Sequence, residues 1–207
     1  MQTQKILFVA LICSALSFML PSGSVSAVVA GQSSSGSADI SATVPDFIIL
    51  HYHSSLDLNF ETPKSEAINE GENTLSVTWQ GESSGSQLAG GSLMSANLEL
   101  DGATKRVTIP NVWAIRGFSE TGTASVTIAI PSGKGTLSTK DGTSLIEMTG
   151  VQVSSSGNIG ETITASLNGI TKSRATLGNV LIDLNFDKTK KSGFHYGGQY
   201  TITASTK

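Results

Sequence analysis

From Asp39 onward the apolar residues recur at every second position in short runs. Nowhere do they hold the i, i+3, i+4, i+7 spacing of a helix over three turns. Ile40, Ala42 and Val44 alternate with Asp39, Ser41 and Thr43 until Pro45 stops the run. Phe47 to His53 is a β-rich run, and Leu56, Leu58 and Phe60 then alternate with Asp57 and Asn59. Leu75, Val77 and Trp79 share one face, with Ser76 and Thr78 on the other. The spacing predicts further strands at 112–116, 124–130, 135–138, 144–153, 161–167, 175–186 and 199–204. Asp101-Gly102 and Asp141-Gly142 carry hairpin signals, the first between Leu98/Leu100 and Val107/Ile109. A strand of this kind buries one face only, so many of them must stack as sheets. The expected fold is all-β, an antiparallel β-sandwich whose core takes Leu75, Val77, Trp79, Val126, Ile128, Leu181 or Ile182, and Ile202.

The first 27 residues follow a different rule. Lys5 is the only charge before Asp39, and Ile6 to Leu20 is apolar apart from Ser14 and Ser17. Pro21-Ser22-Gly23 breaks a helix, and Val25-Ser26-Ala27 offers the small or branched residues that a signal peptidase reads. A run of about 15 apolar residues is short for a bilayer span. Residues 1–27 are therefore expected to be a signal peptide, with mature protein beginning near Val28 and no membrane insertion after cleavage. Cys13, the only cysteine, lies inside the apolar run behind Ile12, where lipoprotein processing needs a small residue.

Without Lys5 the 13 basic residues become 12 against 16 acidic ones, a formal charge of −4. Such a chain has no basic stripe for nucleic acid or for an anionic membrane. It also has no disulfide, so its stability must come from its core. The absence of any Asn-x-Ser/Thr site points away from a glycosylated product and toward a bacterial envelope.

The chemistry-bearing residues are sparse. His51 and His53 lie two apart and share a strand face, a spacing that could chelate a metal with Asp46, Asp57 or His195 as third ligand. The simpler reading places both on the solvent face opposite Tyr52. No Gly-x-Ser-x-Gly elbow occurs, and Ser86, Ser92 and Lys134 sit in plain turns. Glu99 with Asp101, and Asp183 with Asn185, are ordinary pairs for a wet strand face. Aromatics are only 6% of the chain, few for a sugar-cleaving cleft. Asp183 to Phe194 begins like a calcium loop but has Lys188 and Phe194 where an EF-hand needs Gly and Glu. Trp79 and Trp113 read as core. Leu56-Asp57-Leu58-Asn59-Phe60 recurs as Ile182-Asp183-Leu184-Asn185-Phe186, two similar half-buried strands. These features predict no enzyme, no catalytic residue, no cofactor and no metal.

The two ends carry the sharper expectation. Residues 31–37 are a Gly/Ser linker, and behind it Ile40, Ala42 and Val44 describe a strand that can leave its own domain and plug a groove on a neighbour. At the other end, Tyr200, Ile202 and Ala204 alternate in a strand carrying neither charge nor proline, the devices that blunt an open edge.

In this alternation running into Val44-Pro45-Asp46, and in the C-terminal Gly198-Gln199-Tyr200, the chain resembles bacterial pilus subunits of the chaperone–usher kind, in their disulfide-free groups. The resemblance covers roughly a quarter of the chain. It implies an incomplete immunoglobulin-like sandwich whose missing strand comes first from a periplasmic chaperone and then from the next subunit. The implied partners are other copies or related subunits, the chaperone and an outer-membrane usher, with residence in the periplasm and then on the cell surface. The chain is somewhat long for such a subunit, and residues 47–53 would extend its first strand unusually far. The domain organisation expected is a signal peptide at 1–27, a flexible extension or donor strand at 28–46, and a sandwich at 47–207. The competing reading is a secreted carbohydrate-binding or adhesin module presenting loops 81–92 or 154–160, with a sandwich hydrolase a distant third.

Overall fold

A computed structural model describes residues 31, 33–60, 74–83, 96–99 and 103–207. The expected signal peptide, the 63–73 loop, most of loop 81–92 and the Asp101-Gly102 turn lie outside the described residues. The chain divides into two units, Met1–Ala42 and Thr43–Lys207. Described residues of the first form no strand, and every described strand belongs to the second.

Eleven strands are described: β1 (Phe47–Phe60), β2 (Thr74–Ser83), β3 (Ala96–Glu99), β4 (Thr104–Phe118), β5 (Thr123–Ala129), β6 (Thr136–Ser138), β7 (Leu145–Ser155), β8 (Asn158–Gly160), β9 (Thr162–Ser166), β10 (Thr176–Asn185) and β11 (Thr201–Thr206). A single 3-10 turn at 172–174 is the only helical segment among the described residues. The larger sheet runs β3-β2-β1-β4-β10-β7-β6, with β8 on β7, and a smaller one runs β11-β5-β9. All ladders are antiparallel. The architecture is all-β and sandwich-like, with inward side chains of both sheets in one core cluster that holds Val107, Ile109, Trp113, Ile115, Val126, Ile128, Val153, Ile163, Val180 and Ile182.

Three irregularities decide which side chains face inward. In β1, His53 opposes Ser83 while Ser55 opposes Glu82, so one extra residue enters the strand. Buried positions therefore move from odd (His51, His53) to even (Leu56, Leu58, Phe60, half-buried). The two β-rich runs of the sequence are thus one 14-residue strand, paired with β4 over 47–52 and with β2 from His53 onward.

In β4, the three residues between Ile109 and Trp113 stand opposite one of β10, Asn179, between Val180 and Gly178. Pro110 and Asn111, the latter at φ 55°, form this bulge, which lets a proline sit within a central strand. Asn179 Oδ1 accepts the Asn111 amide at 3.1 Å, and the Asn179 carbonyl accepts Trp113 Nε1 at 3.0 Å. The Trp113 indole lies on Gly178, where a Cβ would stand 1.9 Å from its ring, so only glycine fits. In β7, Thr149 is the extra residue between Met148 and Gly150.

Other expectations are corrected by pairing. β3 pairs with β2, and no ladder joins β3 to β4 among the described residues. The strand expected at 112–116 is the second half of β4. Asp141-Gly142 does turn β6 into β7, with Asp141 Oδ1 accepting Thr139 Oγ1 at 2.6 Å and the Thr143 amide at 3.2 Å. The 154–160 segment, expected as a loop, is more ordered than that. It is a hairpin between β7 and β8 whose two turn residues, Ser156 and Gly157, both have positive φ.

Candidate functional site

The described residues leave one side of the sandwich unfilled. A cleft of about 1160 Å³ lies between β1 and β11, with the inner faces of β4, β10, β7 and β6 beneath it. Ile109, Leu137, Ile146, Met148, Ile182 and Leu184 line it from these strands, Leu56, Leu58 and Phe60 from β1, and Tyr200 and Ile202 from the β11 side. The two look-alike segments meet here. The Phe60 and Phe186 rings contact edge to face at 5.6 Å and 86°, closing one end. Sequence showed the repeat but not that both copies face one space.

β11 pairs with β5 from Thr201–Ala129 to Thr206–Ala124. No described strand pairs with its other edge, and β1 and β11 flank the cleft without forming a ladder. The strand spans 201–206 rather than 199–204, so Tyr200 just precedes it. Tyr200, Ile202 and Ala204 are half-buried and pack against the core from one face, as a period of two requires. Burial raises the Tyr200 phenol above its ordinary value. Ile202, expected in the core, packs against it half-buried and forms a wall of the cleft.

The segment expected to plug such a groove is exposed. Ile40 is 94% and Val44 61% accessible, Ala42 is exposed, and 38–44 carries no strand pairing, so the expected strand is not formed within this chain.

Above the cleft end nearest Tyr200 runs the connection from β10 to β11, and a buried serine holds it. Ser144 Oγ accepts the amides of Lys190 at 2.9 Å and Lys191 at 3.1 Å, and lies 2.9 Å from His195 Nε2. His195 Nδ1 lies 2.9 Å from the Gly193 carbonyl, and Ser144 Oγ lies 3.3 Å from the Lys191 carbonyl, to which it can donate. This Ser–His pair, 51 residues apart, was not visible in the sequence. It lacks the requirements of a nucleophile. Ser144 has no exposed surface, both its lone pairs are engaged by backbone amides, and no substrate atom can approach. The pair is a clasp on the connection.

His51 and His53 are buried, against the solvent-facing expectation, while Tyr52 between them is exposed. Arg116 explains His51: its Nε donates to His51 Nε2 at 3.1 Å, and its Nη1 donates to the Ile170 carbonyl at 2.6 Å. Burial first, then the positive charges of Arg116 and Lys172, hold the His51 pKa below 6.5. His53 packs edge-on against Trp79, ring centroids 5.2 Å apart. With Arg116 occupying Nε2, the pair is not arranged as a chelate, and no group of three or more His, Cys, Asp or Glu converges among the described residues. Asp183 is bound on both oxygens by Arg106, at 2.7 Å each, which pulls its pKa down and makes it a structural partner on the outer face.

No family model, curated protein or solved structure matches the chain.

Proposed function

We propose that this chain is a non-enzymatic structural subunit of a bacterial surface pilus, exported, held by a periplasmic chaperone, and polymerised through an usher by donor-strand exchange. The observation that carries the reading is an edge of β11 with which no described strand pairs, above an apolar cleft. In an immunoglobulin-type sandwich the sheets run ABED and CFG. The order β1-β4-β10-β7 matches ABED, and β5-β11 matches CF. The place of G, beside β11, is the cleft. The incomplete immunoglobulin-like sandwich is thus the finer reading of the fold, and the missing element is one strand.

The donor on this reading is residues 38–44 of a second copy. Its backbone pairs with the β11 edge, and Ile40, Ala42 and Val44 enter the cleft on one face. Ile40 and Val44 are exposed in the free chain, and burying side chains of this size stabilises by about 1.5–3 kcal/mol each. β1 and β11 part to admit the strand, by up to one strand spacing, about 4.8 Å.

Deletion of residues 28–44 tests it. Polymers should disappear while chaperone-held monomer persists; a deleted chain that its chaperone cannot hold folded would mean that the segment belongs to its own sheet. Ala42→Asp should block assembly at a cost of several kcal/mol, because it drives a charge into an apolar site. Ser41→Asp, on the opposite face, should assemble normally.

A further inference from the structure

Two exposed aromatic pairs lie at opposite ends of the sandwich. Phe47 and Phe118, directly paired where β1 begins and β4 ends, contact edge to face at 5.5 Å and 81°. Phe194, 72% exposed, stacks on Tyr196 at 6.0 Å and 22° beside the cleft end nearest Tyr200. Both pairs are held in place before any partner arrives. The first sits in a strand ladder. The second flanks His195, clasped by Ser144, and Tyr196 exchanges backbone hydrogen bonds with Ser138 at 2.9 and 3.0 Å.

Strand geometry brings these pairs together between copies. A donor pairing antiparallel with β11, as every described ladder pairs, runs from the Thr206 end toward the Tyr200 end. Its last plug residue, Val44, then lies beside the acceptor's Phe194–Tyr196 connection. Only Pro45 and Asp46 separate Val44 from Phe47, a reach of at most roughly 10–11 Å over three residues. The donor copy's Phe47–Phe118 end must therefore stand against the acceptor's Phe194–Tyr196 end.

We propose that these pairs dock on each other, forming an aromatic joint between consecutive copies that fixes their relative angle. The partner is a second copy of this chain, and the inference rests on the strand-exchange reading above. Large apolar rings held in position lose little freedom on contact, which suits them to an interface. An exposed pair at each end, with a two-residue spacer between plug and domain, is what a joint needs and what a monomer has no use for.

Cysteine cross-linking of the full chain, assembled with its chaperone and usher, tests the joint. Phe118→Cys combined with Phe194→Cys should give a ladder of disulfide-linked oligomers under denaturing, non-reducing conditions, and each single variant no more than dimers. Phe47→Cys with Tyr196→Cys repeats the test should the first pair disturb folding. A synthetic 38–44 segment that binds the cleft, in a chain whose polymers give no ladder with either pair, would overturn the joint while leaving strand exchange standing. Neither segment binding nor polymer would remove both.

Discussion

Ile128 and Ile202 are the same residue, opposite one another in a single ladder, on the same face of the smaller sheet. Ile128 is 2% exposed; Ile202 is only half-buried. The difference lies in what stands on the far side. Ile128 has β9 beyond it, through Val126–Ile163 and its neighbours, whereas Ile202 has the open edge of β11 and the cleft. The closed side of the sandwich is a finished core. The other side has the same alternation and lacks a layer, so its exposure reports a missing neighbour and not a weak strand.

The closed side should yield the largest effects. Trp113 has no accessible surface, donates to the Asn179 carbonyl and rests on Gly178. Trp113→Ala should cost about 3–5 kcal/mol in chemical denaturation of the monomer, through a cavity that Gly178 cannot fill. A loss under about 1 kcal/mol would mean that β4 and β10 are not the centre of the core.

The isoleucine pair sharpens the contrast. Ile128→Ala should cost about 2–5 kcal/mol whatever occupies the cleft. Ile202→Ala should cost roughly 1 kcal/mol in the free chain and approach the Ile128 value once the 38–44 segment is bound, since only then is its side chain enclosed. Equal losses in the free chain would show that the cleft is already filled, and no rise on adding the segment would show that the segment does not cover Ile202.

How far the sequence foretold this contrast depends on which interactions are local. Alternation alone located most strands, because a pleated backbone imposes it on neighbouring residues. The bulges escaped: an extra Ser54 or Thr149 is visible only as pairing with a distant strand. The buried histidines escaped for a related reason. Period two shows that His51 and His53 share a face, but Arg116, which covers His51, lies 65 residues away. The cleft was legible least. Leu56 to Phe60 and Ile182 to Phe186 were recognisable as matching half-buried strands, yet an empty space between two strands belongs to neither. The alternating ends hinted at it, since a strand able to leave its domain needs a groove to enter.

The smallest expected effect concerns the buried face of β1 rather than the cleft. His51 Nε2 accepts from Arg116 Nε, so protonating Nε2 would set a donor against a donor, next to the positive charges of Arg116 and Lys172. Its folded pKa lies below the 6.5 expected of an exposed imidazole. As pH falls through this window the unfolded chain binds the proton first, so unfolding gains the advantage. The stabilisation is fully present above pH 6.5 and is lost as pH drops through the lower, folded value. Asp183 and Asp141 have their pKa values depressed below those of ordinary carboxylates and act in a more acid range, apart from this one. Urea denaturation at a series of pH values between 5 and 7 should therefore show stability declining toward pH 5 in the parent chain. His51→Gln keeps an acceptor near Arg116 without a titrating nitrogen, and its profile should be flatter over the same interval. Identical slopes for the two chains would mean that His51 takes up its proton as easily when folded as when unfolded, and that the Arg116 contact does not hold it neutral.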